Sequence, residues 1–160
     1  TGEKLSKLAV ANYRRKSVFY LGRGMDYLVA MEGSLKLKEI SYIHCEAYPA
    51  GELKHGTPAL IEKGVLVVAV VTQTELLDKM YSSLCEVKSR GANIITVTPF
   101  TENKLINDVS DSIVPLPPHK GLFSAVVSVI PLQLFAYFVA RAKGCDIDKP
   151  RNLAKSVTVE

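Results

Sequence analysis

Apolar positions follow two different periods along this chain. Short β-branched and aromatic runs alternate with longer stretches whose apolar residues recur every three or four positions. Ser17–Leu21 (SVFYL), Val65–Val71 (VLVVAVV), Asn93–Thr98 (NIITVT) and Ser112–Leu116 read as strands. The second is a continuous apolar run of the kind buried on both faces of a parallel sheet. Glu3–Arg15, Asp26–His44, Thr74–Arg90 and Leu122–Ala140 carry helical spacing, with Gly91 and Gly144 as stops. Such alternation predicts an α/β fold: a three-layer α-β-α sandwich around a mainly parallel, doubly wound sheet. No internal repeat or low-complexity stretch interrupts it.

The helix Asp26–His44 departs from ordinary amphipathic patterning. At about 100° per residue, Glu32, Lys36 and Glu39 share one narrow arc with Leu28, Val29, Leu35 and Ile43. Ser34, Lys38 and Ser41 lie opposite, on the side expected to meet water. Burying lone charges is costly, so two carboxylates and an ammonium on an apolar stripe imply partners or a ligand. The alternative is a surface ladder of helical ion pairs, each worth a few tenths of a kcal/mol.

Composition narrows the classes. The 160 residues, 48% hydrophobic and 22% charged, suit one globular domain with a real core. A net charge of +4 from dispersed Lys and Arg, with only Arg14-Arg15-Lys16 as a run, gives little support to nucleic-acid binding. Cys45, Cys85 and Cys145 are odd in number and far apart, which points to reduced thiols and a cytoplasmic location. Leu122–Ala140 is nearly long enough to span a bilayer, but Ser124, Ser128, Pro131 and Gln133 favour a helix packed on a sheet, so no membrane partner is expected.

Candidate chemistry lies in four places. The charged helix is the first. Gly22-Arg23-Gly24 follows the first strand and opens that helix, a place where an anion can sit, so Arg23 is a candidate substrate-binding residue. The loop lacks the third glycine of a dinucleotide fingerprint, and the glycines also suit a plain tight turn. The glycine-bracketed Gly51–Gly56 stretch holds His55, a candidate acid or base or simply an exposed loop histidine. The tail carries Asp146-Ile147-Asp148, without the glycine and terminal glutamate of a calcium loop, so no metal site is expected. His44 reads as a cap or a packed residue at the helix end and His119 as surface. Cys45 sits near both His44 and His55, but adjacency alone does not make a thiol nucleophile.

LGRG, MEGSLKLKEISYIHCEAYPAGELKHG and the final IPLQLFAYFVARAKGCDIDKPRNLAKSVTVE together resemble the glutamine–fructose-6-phosphate aminotransferase (glucosamine-6-phosphate synthase) family over nearly the whole chain. Residues 65–120 are generic for sugar-isomerase (SIS) domains. The resemblance implies a flavodoxin-like SIS fold and a fragment: a connecting helix over 1–16, the second SIS domain over 17–143, and a tail over 144–160 that contributes to the active site. The glutaminase domain and the first SIS domain, with its Ser/Thr-rich sugar-phosphate loop, would then precede it. Glu39 matches the base that moves a proton between C1 and C2, and Lys36 a lysine serving the same step. His55 matches a ring-opening histidine that reaches a neighbouring subunit, hence a homodimer. Lys155 matches a tail lysine that forms an imine with the open ketose, Ala154 a backbone contact to the sugar, and Glu32 a glutamate near the site. Thr57-Pro58 after KHG is a position of family variation.

The implied reaction converts fructose 6-phosphate and glutamine to glucosamine 6-phosphate and glutamate, with no cofactor. A carboxylate held over one sugar face can carry the proton between adjacent carbons, and a neighbouring ammonium lowers the cost of the developing charge. Two other readings stand beside it: a non-catalytic phosphosugar-binding SIS module with a regulatory role, and a free-standing isomerase, which would need a Ser/Thr-rich loop that this chain lacks.

Overall fold

Alternation along the strands divides their side chains between two cores. Val18, Tyr20, Leu66, Val68, Val70, Ile95 and Val97 face one, while Phe19, Leu21, Val67, Ala69, Val71 and Ile94 face the other. The computed structural model describes residues 2–53, 56–118, 121 and 123–153. In chain order the elements are α1 (Gly2–Asn12), β1 (Ser17–Gly22), α2 (Met25–Ser41), β2 (His44–Pro49), β3 (Leu66–Val70), α3 (Leu77–Ser89), β4 (Asn93–Thr98), α4 (Lys104–Val109), β5 (Ser112–Pro115) and α5 (Phe123–Lys143). The sheet runs β2-β1-β3-β4-β5 with every neighbouring pair parallel, the doubly wound order of flavodoxin-like folds. Helices α1, α2 and α5 cover the first core, and α3 and α4 the second. The expected three-layer sandwich is present, and its sheet is parallel throughout.

Two short elements escape the periodicity reading. Helix α2 stops at Ser41, not at His44, because Tyr42 turns left-handed (φ 60°) and its N–H bonds back to Lys38 O. His44 therefore opens β2, where it is exposed, and does not cap the helix. Strand β2 lies at the sheet edge with His44 and Glu46 among its residues, so it lacks the apolar run of an interior strand. Helix α4 has only six residues and is marked chiefly by Asn103, whose Oδ1 accepts from Ile106 N.

The charged helix departs in part from the expectation. Ala30, Gly33, Ser34, Leu37 and Ser41 are buried, and Leu28, Met31 and Leu35 are exposed, while Val29 and Ile43 are buried and Lys38 is exposed as the spacing predicts. Part of the side expected to meet water, at Ser34 and Ser41, faces the core. Ser34 and Ser41 are tolerated there because their hydroxyls donate to Met31 O and Leu37 O in their own helix. Small side chains bring α5 close: a Cβ on Gly33 would lie 2.6 Å from Leu132 Cδ1 and 3.1 Å from Tyr20 Cε1.

Helix α5 is the one described helix long and apolar enough to cross a membrane. Here it forms an outer layer, burying Leu132, Phe135, Ala136, Val139 and Ala140 against α1, α2 and the sheet. Helix α1 shares that core through Leu5 and Ala9. Gly33→Ala is expected to lower stability by about 1–3 kcal/mol, since α2 and α5 must separate. A urea midpoint equal to that of the parent chain would contradict this packing.

Candidate active site

The two ends of α2 are fixed by different contacts. At its start, the Asp26 carboxylate accepts from Thr72 N (2.7 Å) and Thr72 Oγ1 (2.5 Å), tying the helix to the loop after β3. Burial pushes the Asp26 carboxyl up from its ordinary value, and the Thr72 and Gln73 hydrogen bonds oppose that rise. Gln73 Nε2 donates to Arg23 O at 2.7 Å. The switch point between β1 and β3, where such folds often bind ligands, is thus bridged by the chain's own groups, and the first turn of α2 already holds a carboxylate.

Further along α2, Lys36 Nζ sits 2.8 Å from Glu39 Oε2 and 3.7 Å from Glu32 Oε1. The three side chains are partly open, at 35% for Lys36, 28% for Glu39 and 41% for Glu32. This exposure answers the question left by the spacing: the charges stand on a half-open face and are not driven into a closed core. As ion pairs alone they contribute little to stability. The Glu39 hydrogen bond, ahead of the Glu32 charge, holds the Lys36 ammonium above the ordinary lysine value, while partial burial opposes it. Glu32 also lines two shallow grooves, one toward β2 with Tyr48 and one toward α5 with Val126.

The far end of α2 meets the start of the tail. Arg151 N donates to Tyr42 Oη at 3.0 Å, and its guanidinium lies 4.2 Å from the Tyr42 ring centroid. This clamp sits one helical turn beyond Glu39. Periodicity gave no sign of it, since it placed Tyr42 inside the helix and carries no information on a contact with the tail.

The structure brings Glu32, Lys36 and Glu39 together and leaves Arg23 elsewhere. The Arg23 guanidinium turns to the α3 side, where Nη2 donates to Ser83 Oγ at 3.0 Å. His55, Ala154, Lys155 and His119 lie outside the described residues. Cys45 is buried, and burial pushes its thiol up to about 12. Such a thiol is no nucleophile at neutral pH. Asp146 Oδ1 accepts from the N–H groups of Asp148 and Lys149, forming a turn. No group of three His, Cys, Asp or Glu among the described residues is arranged to hold a metal ion.

The SIS domain family matches residues 13–141. The chain belongs to the SIS domain family. This SIS domain is 56% identical over 158 residues to the glutamine–fructose-6-phosphate aminotransferase [isomerizing] of Caldanaerobacter subterraneus subsp. tengcongensis, covering 99% of the chain and 26% of that protein. It spans about a quarter of the curated relatives it matches and corresponds to their C-terminal part. Among solved structures, the C-terminal domain of the Francisella tularensis glucosamine-fructose-6-phosphate aminotransferase superposes with TM-score 0.84 at 41% identity. That match covers 92% of this chain and 42% of the other. A glucosamine-6-phosphate deaminase of Thermotoga maritima superposes with TM-score 0.75 at 25% identity, over 99% of this chain and 46% of the other.

Because the Lys36 value is raised, whatever stability the pairing gives is present below the ordinary lysine value of 10.5 and lost as pH climbs through the raised one. Side-chain NMR titration of Lys36 should show Glu39→Gln lowering that value more than Glu32→Gln does. A Lys36 titration indifferent to Glu39→Gln would dismiss the pair.

Proposed function

We propose that the full-length protein containing this SIS domain converts D-fructose 6-phosphate and L-glutamine to D-glucosamine 6-phosphate and L-glutamate. The observation that carries this reading is the Glu39–Lys36 contact at 2.8 Å on an open face of α2, in a chain 56% identical to an aminotransferase of that name. Once ammonia has condensed at C2 with loss of water, a proton must leave C1 and return at C2. Glu39 is the proposed carrier. Its Oε2 is held by Lys36, and Oε1 has no hydrogen bond among the described residues, which leaves it able to accept a proton. Lys36 offsets charge developing on the sugar, and Glu32 and Ala154 contact it. Lys155 is the proposed imine-forming lysine and His55 the ring opener. The shift oxidises C1 from the alcohol to the aldehyde level while it reduces C2 from imine to amine, so it balances within the sugar and calls for no cofactor. The three cysteines, all free thiols, support a cytoplasmic location.

A homodimer is part of the same proposal. Ala50 N bonds to Gly22 O, so the turn before His55 sits by the start of α2. From Asp26 to Glu39 the helix runs roughly 20 Å, at about 1.5 Å per residue. His55 is proposed to serve the site of a partner subunit. The preceding SIS domain of the same polypeptide is the proposed holder of the sugar phosphate.

In the full-length protein, Glu39→Gln should reduce glucosamine 6-phosphate formation by ~1000-fold or more while glutamine hydrolysis remains measurable. Unchanged synthesis would mean that another group is the base. Sedimentation of the full-length protein should give a dimer, and a strict monomer would remove the cross-subunit role of His55. The 160-residue chain by itself should not convert fructose 6-phosphate.

A further inference from the structure

Arg23 reaches away from the charged face of α2 into a junction of three segments. Its Nη2 donates to Ser83 Oγ at 3.0 Å, and that hydroxyl donates to Ala50 O at 2.9 Å, with Lys79 O at 3.1 Å. Ser83 is 6% exposed, so this relay is internal. The guanidinium also lies against Gly51, where a Cβ would approach Nη1 to 3.2 Å. A side chain there would press on the guanidinium, so glycine at this turn leaves it room. The Arg23 backbone is fixed as well, its carbonyl accepting from Gln73 Nε2.

The held segment is the Ala50–Leu53 turn. Ala50 and Leu53 are buried in the second core, and Ala50 N bonds to Gly22 O beside Arg23 itself. Arg23 Nε is buried without a hydrogen bond among the described residues. An unpaired buried donor is costly, which fits a side chain placed by packing and not one left free to swing toward an incoming anion.

We propose that Arg23 is a positioning residue: it fixes the Ala50–Leu53 turn against α3 and thereby sets where the chain enters Lys54-His55. The catalytic consequence rests on the role proposed above for His55, whereas the anchoring of the turn does not. An arginine serving as a sugar-phosphate ligand would present an open fork. Here one arm is used on Ser83 and the other lies close to Gly51.

Two measurements separate these levels. Amide hydrogen exchange on the 160-residue chain should show Glu52 and Leu53 exchanging ~10-fold faster in Arg23→Ala, with β3 and β4 unchanged. Ser83→Ala, which removes only a hydroxyl, should act in the same direction. Unchanged exchange in both variants would overturn the anchoring. In the full-length protein, Arg23→Ala should lower kcat for fructose 6-phosphate ~30- to 100-fold while its KM moves less than about threefold. Arg23→Ala/His55→Ala should be no slower than His55→Ala. A raised KM with kcat intact would make Arg23 a substrate ligand and overturn the proposal, as would additive losses. If His55→Ala is fully active, the reading of His55 fails, and the exchange measurement still decides the anchoring.

Discussion

The close approach of α2 and α5 at Gly33 governs the rest of this structure. A helix can press one face on its neighbours, and α2 commits the face made of Ala30, Gly33, Ser34, Leu37 and Ser41. Leu132 occupies the space that a side chain at position 33 would need. Once that face is inside, Glu32, Lys36 and Glu39 are turned outward by helical geometry. Exposing the charges is therefore a consequence of how the core closes. The serines on the inner face take their hydrogen bonds from their own helix, so burying them leaves few polar groups unsatisfied.

The same choice leaves apolar side chains in water. Leu28, Met31 and Leu35 on α2, with Phe123, Val126, Ile130, Leu134 and Tyr137 on α5, make up eight of the eleven large hydrophobics that are exposed among the described residues. They form two stripes at helical spacing, and Leu28 and Val126 line one groove between the two helices. Contiguous apolar stripes of this kind are suited to packing against another surface. The charged cluster stands at their rim. A second surface laid there would exclude water from Glu39 and Lys36, and reduced solvation is what turns a weak surface ion pair into strong electrostatics.

Much of this was legible in the residues. The strands β1, β3 and β4 announce themselves through runs such as VLVVAVV, and the sandwich follows from their alternation with helices. The spacing of Glu32, Lys36 and Glu39 was sufficient to bring them together, because i, i+3 and i+4 pairs meet on any helix. The faces of α2 were placed correctly at Val29, Ile43 and Lys38 and wrongly at Leu28, Leu35, Ser34 and Ser41. Hydrophobic periodicity gave weight to Leu28 and Leu35, whereas close helix packing selects for small volume, as at Gly33 and Ser34. Strand β2 was hidden because an edge position asks for no continuous apolar run. The Tyr42–Arg151 and Arg23–Ser83 contacts join residues far apart in sequence, and no local pattern encodes such pairings.

These two contacts, with Asp26–Thr72, fix what flanks α2 at each end. Its start is held to the β3 loop by Asp26–Thr72, beside the Arg23 junction that fixes the Ala50–Leu53 turn. Its end is held to the tail by Tyr42–Arg151. Tyr42 lies about 4.5 Å along the axis from Glu39, so the clamp on Arg151 stands one turn from the charged cluster. The distance between the two held ends follows from one length, that of a seventeen-residue helix.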